Sequence, residues 1–137
     1  SNPLEQKFLE RREYISKVLV IDDDVVAVDL MARFLAREGY HTEVATSGRE
    51  GLKMAKKFKP DVITLDIMMP EMDGWSVLEE IKKDPETKDI PVIVLTMIDD
   101  RTRGFAMGAK DYLTKPFNRD ELSDILKNAL QEGAENP

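Results

Sequence analysis

Residues 61–74, with the sequence DVITLDIMMPEMDG, contain a short apolar run that ends at a carboxylate. The run from Val62 to Leu65 predicts a buried strand, and Asp66 follows it directly. In an open parallel sheet, ligands bind beyond the carboxyl ends of the strands. We therefore predict that Asp66 lies at a functional site, although an aspartate in this position is also a common turn residue.

Four further strands are predicted by apolar runs on either side of this stretch. They cover residues 17–21, 40–45, 91–96 and 111–114. Segments with apolar residues at helical spacing separate them, which gives five strand–helix units in succession. Because parallel strands need crossover connections of this kind, the pattern predicts an α/β fold. The expected architecture is a doubly wound (βα)5 fold whose five-stranded parallel sheet has the flavodoxin-like order 2-1-3-4-5.

Capping residues indicate where the helices begin and end. Asp24, Ser47 and Asn118 stand at helix starts, and the last two have a glutamate three residues later. Gly39 is expected to end the first helix. The apolar positions of that helix follow the 3.6-residue period and are expected to face the core; they are Ala27, Leu30, Met31, Phe34 and Leu35. The third and fourth helices are expected at about residues 75–82 and 101–107.

Composition excludes several classes of protein. The chain has 137 residues, of which 42% are hydrophobic and 34% charged, as expected for one globular domain. Its net charge of −7 argues against a nucleic-acid surface, which needs clustered cations. No apolar run approaches the ~20 residues that cross a bilayer, so membrane insertion is not expected. The absence of cysteine excludes disulfides, thiolate chemistry and sulfur-ligated zinc or iron, and it fits a cytoplasmic location.

The chain is expected to divide into a main domain and two short flanking segments. The predicted ranges are 1–16 for an N-terminal linker or helix, 17–132 for the domain and 133–137 for a C-terminal tail. Ser1 and Asn2 resemble a cloning remnant. Leu4, Phe8 and Ile15 lie at helical spacing, and this stripe favours an upstream neighbour in a larger protein.

Polar side chains follow the predicted strands at the edge of the sheet where the strands end. They are Asp22, Asp23, Asp66, Thr96 and Lys115. Clustered carboxylates repel each other, and a cation relieves that repulsion at neutral pH. Magnesium suits such an all-oxygen site because it is small and hard and keeps several waters. We predict that Asp66 attacks phosphorus and forms an aspartyl phosphate, while Thr96 and Lys115 bind the transferred oxygens.

Each of these residues also has an ordinary explanation. Asp22 and Asp23 fit a turn, Thr96 fits a strand end, and a lone Lys115 would be a solvated lysine. Their joint appearance at the ends of separate strands favours a shared site. His41, inside the second strand, has no recognisable acidic or metal partner in the sequence and is expected to be structural.

From about Lys17 to Leu130 the chain resembles the receiver domain of two-component response regulators. The similar segments are VLVIDDD, DVITLDIMMPEMDG, PVIVLT and AKDYLTKPF, in the order and spacing of that family. The resemblance implies a phosphorylation-dependent signalling switch whose phosphodonor is a histidine kinase or a histidine phosphotransfer protein. Such a domain catalyses its own phosphorylation and dephosphorylation and turns over no independent substrate.

The resemblance also implies how the acidic residues divide their roles. Asp66 is expected to be the phosphoacceptor. Asp23 and Asp66 are expected to bind Mg²⁺ directly, with the Met68 backbone carbonyl as a further ligand. Asp22 is expected to act mainly through water.

The remaining family roles fall on the fourth and fifth strands. Thr96 resembles the switch hydroxyl that moves toward the phosphoryl group, and Tyr112 resembles the switch aromatic that turns inward with it. Lys115 resembles the phosphate-pairing lysine, and the bond before Pro116 is expected to be cis. The output face is expected on the fourth helix, fifth strand and fifth helix, around Phe105, with a homodimer as one outcome of phosphorylation. The parent protein is expected to be a free-standing receiver or a hybrid histidine kinase.

One position departs from the family pattern. Receivers usually have a small residue after the switch hydroxyl, whereas this chain has Met97, followed by Ile98. A long thioether side chain is expected to narrow the entry for a phosphodonor or for attacking water. We therefore expect slow or selective phosphotransfer and slow dephosphorylation.

Two alternative functions remain open. Asp22, Asp24 and Val25 imitate the D-x-D-x-[TV] opening of haloacid dehalogenase-type phosphatases, with Asp22 as the nucleophile. Later motifs of that class are imitated by Thr96 and by Asp99 with Asp100. The absence of a cap domain and the late position of the lysine argue against this enzyme class. The other alternative is a pseudo-receiver that binds a partner without phosphorylation.

Overall fold

The computed structural model describes residues 2–4 and 15–135, with side chains described as far as residue 131. Five strands alternate with five helices along residues 17–135. The strands are β1 (Lys17–Ile21), β2 (His41–Ala45), β3 (Val62–Leu65), β4 (Val92–Thr96) and β5 (Asp111–Thr114). The helices are α1 (Val25–Arg37), α2 (Gly48–Phe58), α3 (Gly74–Lys83), α4 (Arg101–Ala106) and α5 (Arg119–Glu135).

The five strands form one parallel sheet in the order β2-β1-β3-β4-β5. Ile21 at the end of β1 pairs with Leu65 at the end of β3, so these two strands finish side by side. The strand order reverses direction between β1 and β3, which leaves a crevice beyond their carboxyl ends. The predicted fold class and strand order are therefore confirmed, and Asp66 emerges at the crevice.

Helices bury both faces of the sheet. On one face Leu19 and Ile21 belong to a cluster with side chains of α2 and α3. On the other face Val18 and Val20 pack with side chains of α1 and α5. Because successive side chains on a strand point to opposite faces, the uninterrupted apolar sequence of β1 supplies both cores. Each fully buried side chain of this size contributes roughly 1.5–3 kcal/mol to the stability of the fold. The strand ends are therefore held in place by two packed cores.

The predicted helix caps are present. The Asp24 side chain accepts from the Val26 N–H at 3.0 Å, and Ser47 Oγ accepts from the Glu50 N–H at 3.2 Å. Asn118 Oδ1 likewise accepts from the Glu121 N–H at 2.7 Å. Each bond satisfies one of the N–H groups that have no partner within the first turn of a helix. Gly39 follows α1 with a φ of 89°, a conformation that favours glycine, and the chain turns there into β2.

The buried side of α1 differs from the prediction. Leu30 is 57% exposed, whereas Val28 and Leu35 are buried. At 100° per residue, Leu30 lies about 200° from Val28 around the helix, so the two cannot face the same side. The expectation that Leu30 faces the core was therefore wrong.

Element boundaries otherwise shift by a residue or so. β4 begins at Val92 rather than at Pro91, because proline has no N–H to donate to a neighbouring strand. α3 is one residue longer at each end than predicted, and α4 ends at Ala106. α5 continues to Glu135, past the predicted end of the domain at residue 132.

Two smaller expectations concern the edge strand and the N-terminus. His41 does have an acidic neighbour, because its Nε2 lies 3.8 Å from Glu43 Oε1, which corrects the expectation that it has none. Its ring also meets the edge of Phe58. Of the N-terminal stripe, Phe8 lies outside the described residues, while Leu4 and Ile15 are exposed. None of the helices in the described ranges is both long and apolar enough to cross a membrane.

Candidate functional site

Asp66 stands directly after β3 and is 8% exposed. Its backbone N–H donates to the Ile21 carbonyl at 3.0 Å, which ties it to the end of β1. Its Oδ1 accepts from the Met68 N–H at 2.8 Å, and its Oδ2 accepts from the Lys115 ammonium at 3.1 Å. The carboxylate is thus fixed between a backbone amide and a cation.

Lys115 connects Asp66 to Asp22. Its Nζ also donates to Asp22 Oδ2 at 3.2 Å, and its backbone N–H donates to the Thr96 carbonyl at 2.7 Å. The peptide bond to Pro116 is cis, as expected. Burial alone would lower the pKa of Lys115, but the Asp22 and Asp66 carboxylates outweigh burial and raise that pKa above its ordinary value. The ammonium therefore stays charged across neutral pH.

Asp22 is held in place from two sides. Its Oδ1 accepts from the Asp24 N–H at 2.9 Å, while its Oδ2 faces Lys115. Burial raises the pKa of Asp22; the Asp24 N–H and the Lys115 ammonium lower it in part, and the Asp66 carboxylate raises it further. The net direction is upward, so the ionised form of Asp22 is less favourable here than in water. Asp23, next in the chain, is half-buried.

The donor set at this crevice fits a hard divalent cation. Asp22 and Asp66 share a single ammonium, and Asp23 follows at the same strand end, so carboxylates outnumber cations. Within residues 2–4 and 15–135, no three acidic or histidine side chains lie close enough together to form a preformed metal site. Mg²⁺ does not need one, because it is usually held by one or two carboxylates and several waters.

Thr96 and Tyr112 are linked through the backbone of Ile98. The Ile98 N–H donates to Thr96 Oγ1 at 3.4 Å, and the Tyr112 hydroxyl donates to the Ile98 carbonyl. The same hydroxyl accepts from the Asp100 N–H at 3.3 Å. Both Thr96 and Tyr112 are fully buried, and burial is the main cause that raises the pKa of Tyr112. The aromatic ring therefore lies inward in this structure and stays a hydrogen-bond donor.

Two arginines connect the short helix α4 to its neighbours. Arg101 Nη1 donates to the Tyr112 carbonyl at 2.7 Å. The Arg103 guanidinium lies over the Trp75 ring, 4.2 Å from its centroid, which joins α4 to the start of α3. Phe105 on the same helix is 43% exposed.

A cavity of about 620 Å³ contains the acidic residues and Lys115 in its lining. Apolar side chains from α1 and from the segment after β5 also line it; they include Ala27, Leu30, Met31, Phe34, Pro116 and Phe117. Met68 and Met97 line the same cavity and are 54% and 70% exposed. Leu30, which was expected in the core, therefore faces this cavity.

The structure thus gathers Asp22, Asp66 and Lys115 by direct contact, and it joins Thr96 to Lys115 through the backbone. Two groups that complete this arrangement were not predicted from the sequence. Ile98 acts through its backbone N–H and carbonyl, which no side-chain pattern reveals. Arg101 had a weak signal, since it stands at the first position of a helix directly after a strand-end loop.

A doubly wound sheet with this set of strand-end residues defines a class of protein. Residues 18–127 match the family model of the response regulator receiver domain. The chain belongs to that family and is a receiver domain of two-component signal transduction. Receiver domains act as phosphorylation-dependent signalling switches, so the resemblance and the fold expected from it are confirmed.

Similar proteins support the same class. The chain is 42% identical to the DNA-binding dual master transcriptional regulator RpaA of a Synechocystis species over 118 residues, which cover 84% of this chain and 49% of that protein. The chemotaxis protein CheY4 of Vibrio cholerae has a similar structure, with a TM-score of 0.80 and 33% identity over 85% of this chain and all of its own.

A third similar protein is the signal receiver domain of a histidine kinase from Syntrophus aciditrophicus. Its TM-score is 0.79 at 32% identity, with 85% of this chain and 91% of that chain covered. The chain spans about half the length of the first curated relatives that it matches.

Proposed function

We propose that Asp66 accepts a phosphoryl group from a histidine kinase or a histidine phosphotransfer protein, with Mg²⁺ as the cofactor. The observation that carries this proposal is the Lys115 ammonium, which bonds to Asp22 and Asp66 at the same time. Three residues from the ends of β1, β3 and β5 meet at one nearly buried point. An ordinary surface lysine and two turn aspartates would not be held in this way.

The proposed chemical step is a phosphoryl transfer between two nucleophiles. A carboxylate oxygen of Asp66 forms a bond to phosphorus while the bond from phosphorus to the donor imidazole nitrogen breaks, and the nitrogen keeps the electron pair. Lys115 already lies 3.1 Å from the carboxylate, so its ammonium can bond to an oxygen of the newly attached group. The Thr96 hydroxyl can donate a second hydrogen bond, since toward the Ile98 N–H it is the acceptor.

The residues that would hold Mg²⁺ are Asp22, Asp23 and Asp66, together with the Met68 backbone carbonyl. Asp22 would act mainly through water. When bound, the ion balances the negative charge of the phosphoryl oxygens and of the carboxylates. The two carboxylates that share the Lys115 ammonium support this assignment, because a further cation would favour their ionised forms.

The phosphodonor is proposed to dock on the apolar rim of the cavity. Val25 and Val26 begin α1 next to the acidic residues and are 72% and 68% exposed, and Met68 and Met97 are also exposed there. Four exposed apolar side chains around one acidic site form a surface suited to a partner helix. We propose that Met97 limits access and slows both phosphotransfer and hydrolysis.

The signal is proposed to leave through α4, β5 and α5. Phosphorylation biases two arrangements of Thr96 and Tyr112, and the hydrogen bonds of Tyr112 and Arg101 pass the change to α4. Exposed Phe105 would then contact the output partner or a second copy of the chain.

The remaining predictions concern the setting of the domain. We propose a cytoplasmic domain, built on residues 17–132, in a free-standing receiver or a hybrid histidine kinase. The net charge of −7 supports the prediction that this domain itself binds no nucleic acid, although the relative RpaA is named a DNA-binding regulator.

Acetyl phosphate labelling tests the proposal and separates it from the alternatives. We expect Mg²⁺-dependent labelling of the parent that is lost in Asp66→Asn. Labelling that survives Asp66→Asn but disappears in Asp22→Asn would instead support the dehalogenase-type phosphatase. A parent that takes no label and binds no beryllofluoride would support the pseudo-receiver.

A further inference from the structure

Gly104 is buried within α4, a helix whose other residues are exposed. A Cβ atom built on it would lie 2.5 Å from Tyr112 Cδ2 and 2.8 Å from Tyr112 Cε2. Real Cβ atoms do not approach a ring so closely, so no other amino acid fits while the ring stays where it is. Because Gly104 has no side chain, the Tyr112 ring can occupy the space next to it.

Backbone conformation does not explain this glycine. Gly39 and Gly108 have positive φ values, whereas Gly104 lies inside a helix and does not. In a helix interior, alanine is favoured over glycine by intrinsic propensity. Local structure alone thus favours a side chain at position 104, and the ring contact is what opposes it.

The Tyr112 ring, which packs against Gly104, belongs to the residue that connects α4 to the loop before it and to β5. Tyr112 is fully buried, and its hydroxyl bonds to the Ile98 carbonyl and the Asp100 N–H on the loop leading into the helix. Arg101, from the same helix, bonds to the Tyr112 carbonyl. The inward ring, the loop after β4 and α4 therefore form one packed unit, with Gly104 at the contact.

We propose that Gly104 is a positioning residue that sets the free energy of the inward Tyr112 arrangement. A side chain at position 104 would push the ring outward and break its bonds to Ile98 and Asp100. This inference rests on the proposed function, because it takes the inward arrangement to be the one that phosphorylation of Asp66 favours. By linkage, whatever disfavours the inward ring must weaken the binding of a phosphoryl mimic that favours it, because the fraction of binding-competent protein falls.

The sequence offers a direct test through four proteins: the parent, Gly104→Ala, Tyr112→Ala and the double variant. Each is titrated with beryllofluoride in the presence of Mg²⁺. Trp75, the single tryptophan, reports on α4 because the Arg103 guanidinium lies over its ring. The Tyr112 ring position is read by NMR from contacts between the ring protons and the Hα of position 104. Thr102→Ala, an exposed change on the same helix, is the matched control.

We expect Gly104→Ala to weaken beryllofluoride binding on the order of tenfold, within the usual range of coupling between two sites. Its Tyr112 ring should lose contact with position 104, and Thr102→Ala should match the parent. In the Tyr112→Ala background, Gly104→Ala should change nothing, because no ring remains to be displaced. Should Gly104→Ala alone fail to fold, recovery of folding in the double variant supports the same contact, whereas a double variant that fails in the same way counts against it.

Parent-like binding by Gly104→Ala with a buried ring would overturn the inference and leave the proposed function intact. An equal loss of binding with and without the Tyr112 ring would also overturn it, since the effect would then be a general disturbance of α4. A parent that binds no beryllofluoride would overturn the proposed function itself, and the coupling with it.

Discussion

The Tyr112 hydroxyl donates to the backbone carbonyl of Ile98, and the N–H of Ile98 donates to the Thr96 hydroxyl. A single residue of the loop after β4 thus bonds to Thr96 through its N–H and to Tyr112 through its carbonyl. The bond from the Ile98 N–H to Thr96 is long at 3.4 Å, so it holds the Thr96 hydroxyl only weakly. This arrangement couples the site to α4 by few contacts, each of which can be removed.

Tyr112→Phe keeps the ring and removes the hydroxyl. The Asp100 N–H and the Ile98 carbonyl then lose a partner, so we expect the free energy of unfolding to fall by about 1–2 kcal/mol. The rate of Asp66 labelling by acetyl phosphate should change little, because Lys115 and the carboxylates are untouched. Urea unfolding and labelling rates measure the two effects. Tyr40→Phe, next to the opposite edge strand of the sheet, is the control; equal unfolding free energies for the two variants would contradict the role of the Tyr112 hydroxyl.

Asp22→Asn should raise the free energy of unfolding at pH 7. The pKa of Asp22 is raised in the folded protein, chiefly by burial, so the folded state binds this proton more tightly than the unfolded state. The free energy of unfolding therefore falls as the pH rises from 3.8, the ordinary pKa of an aspartate, through the raised pKa of Asp22 in the folded protein. Above that raised pKa the loss of stability is complete. The advantage of the variant should shrink when the pH is lowered to about 4. Urea unfolding at both pH values measures this, with exposed Asp29→Asn as control; a variant less stable than the parent at pH 7 would refute the expectation.

Gly74→Ala should damage both stability and phosphorylation. A Cβ at position 74 would lie 2.4 Å from the Ile67 Cα and 2.5 Å from the Asp66 carbonyl oxygen, so the backbone at Asp66 and Ile67 must move. We expect a loss of about 1–3 kcal/mol in unfolding free energy and much slower labelling of Asp66.

Gly51→Ala is the matched control for this change. The three atoms nearest to its Cβ would all belong to the Ile21 side chain, the closest at 2.7 Å. It should lower stability without slowing the labelling of the folded protein. Normal labelling of Gly74→Ala would show that the Asp66 backbone tolerates the shift.

Met97→Ala should speed both phosphorylation and phosphate release. The Met97 side chain lines the cavity that contains Asp66 and is 70% exposed, so shortening it widens the approach to the carboxylate. Little stability should be lost, since exposed substitutions usually change the unfolding free energy by about 0.5 kcal/mol or less. Phosphate-release kinetics measure the effect, and Phe105→Ala, also exposed but outside the cavity lining, is the control. Equal release rates for Met97→Ala and the parent would rule out an access role.

Much of the fold was readable from the sequence because its signals are local. The strand ending at Leu65 and the caps at Asp24 and Asn118 depend on neighbouring residues, and strand–helix alternation fixes a parallel sheet. Leu30 was misplaced because α1 carries two apolar stripes, one toward the core with Val28 and one lining the cavity. Periodicity alone does not say which stripe meets the sheet.

The site was less completely predictable. Charged side chains at strand ends give a recognisable pattern, so Asp22, Asp66 and Lys115 could be grouped before any contact was known. Ile98 contributes only backbone groups, and Gly104 contributes only the absence of a side chain. Such roles depend on distances between elements far apart in the chain, which a sequence pattern does not contain.

The central claim is that Asp66 is the phosphoacceptor. It is tested most directly by incubating the protein with acetyl phosphate and Mg²⁺, reducing the acyl phosphate with borohydride, and mapping the reduced residue by mass spectrometry. We predict a single reduced site at Asp66, absent when Mg²⁺ is chelated and strongly diminished in Lys115→Gln. Reduction at Asp22 instead, or no reduced residue under conditions where the protein is folded, would contradict the account.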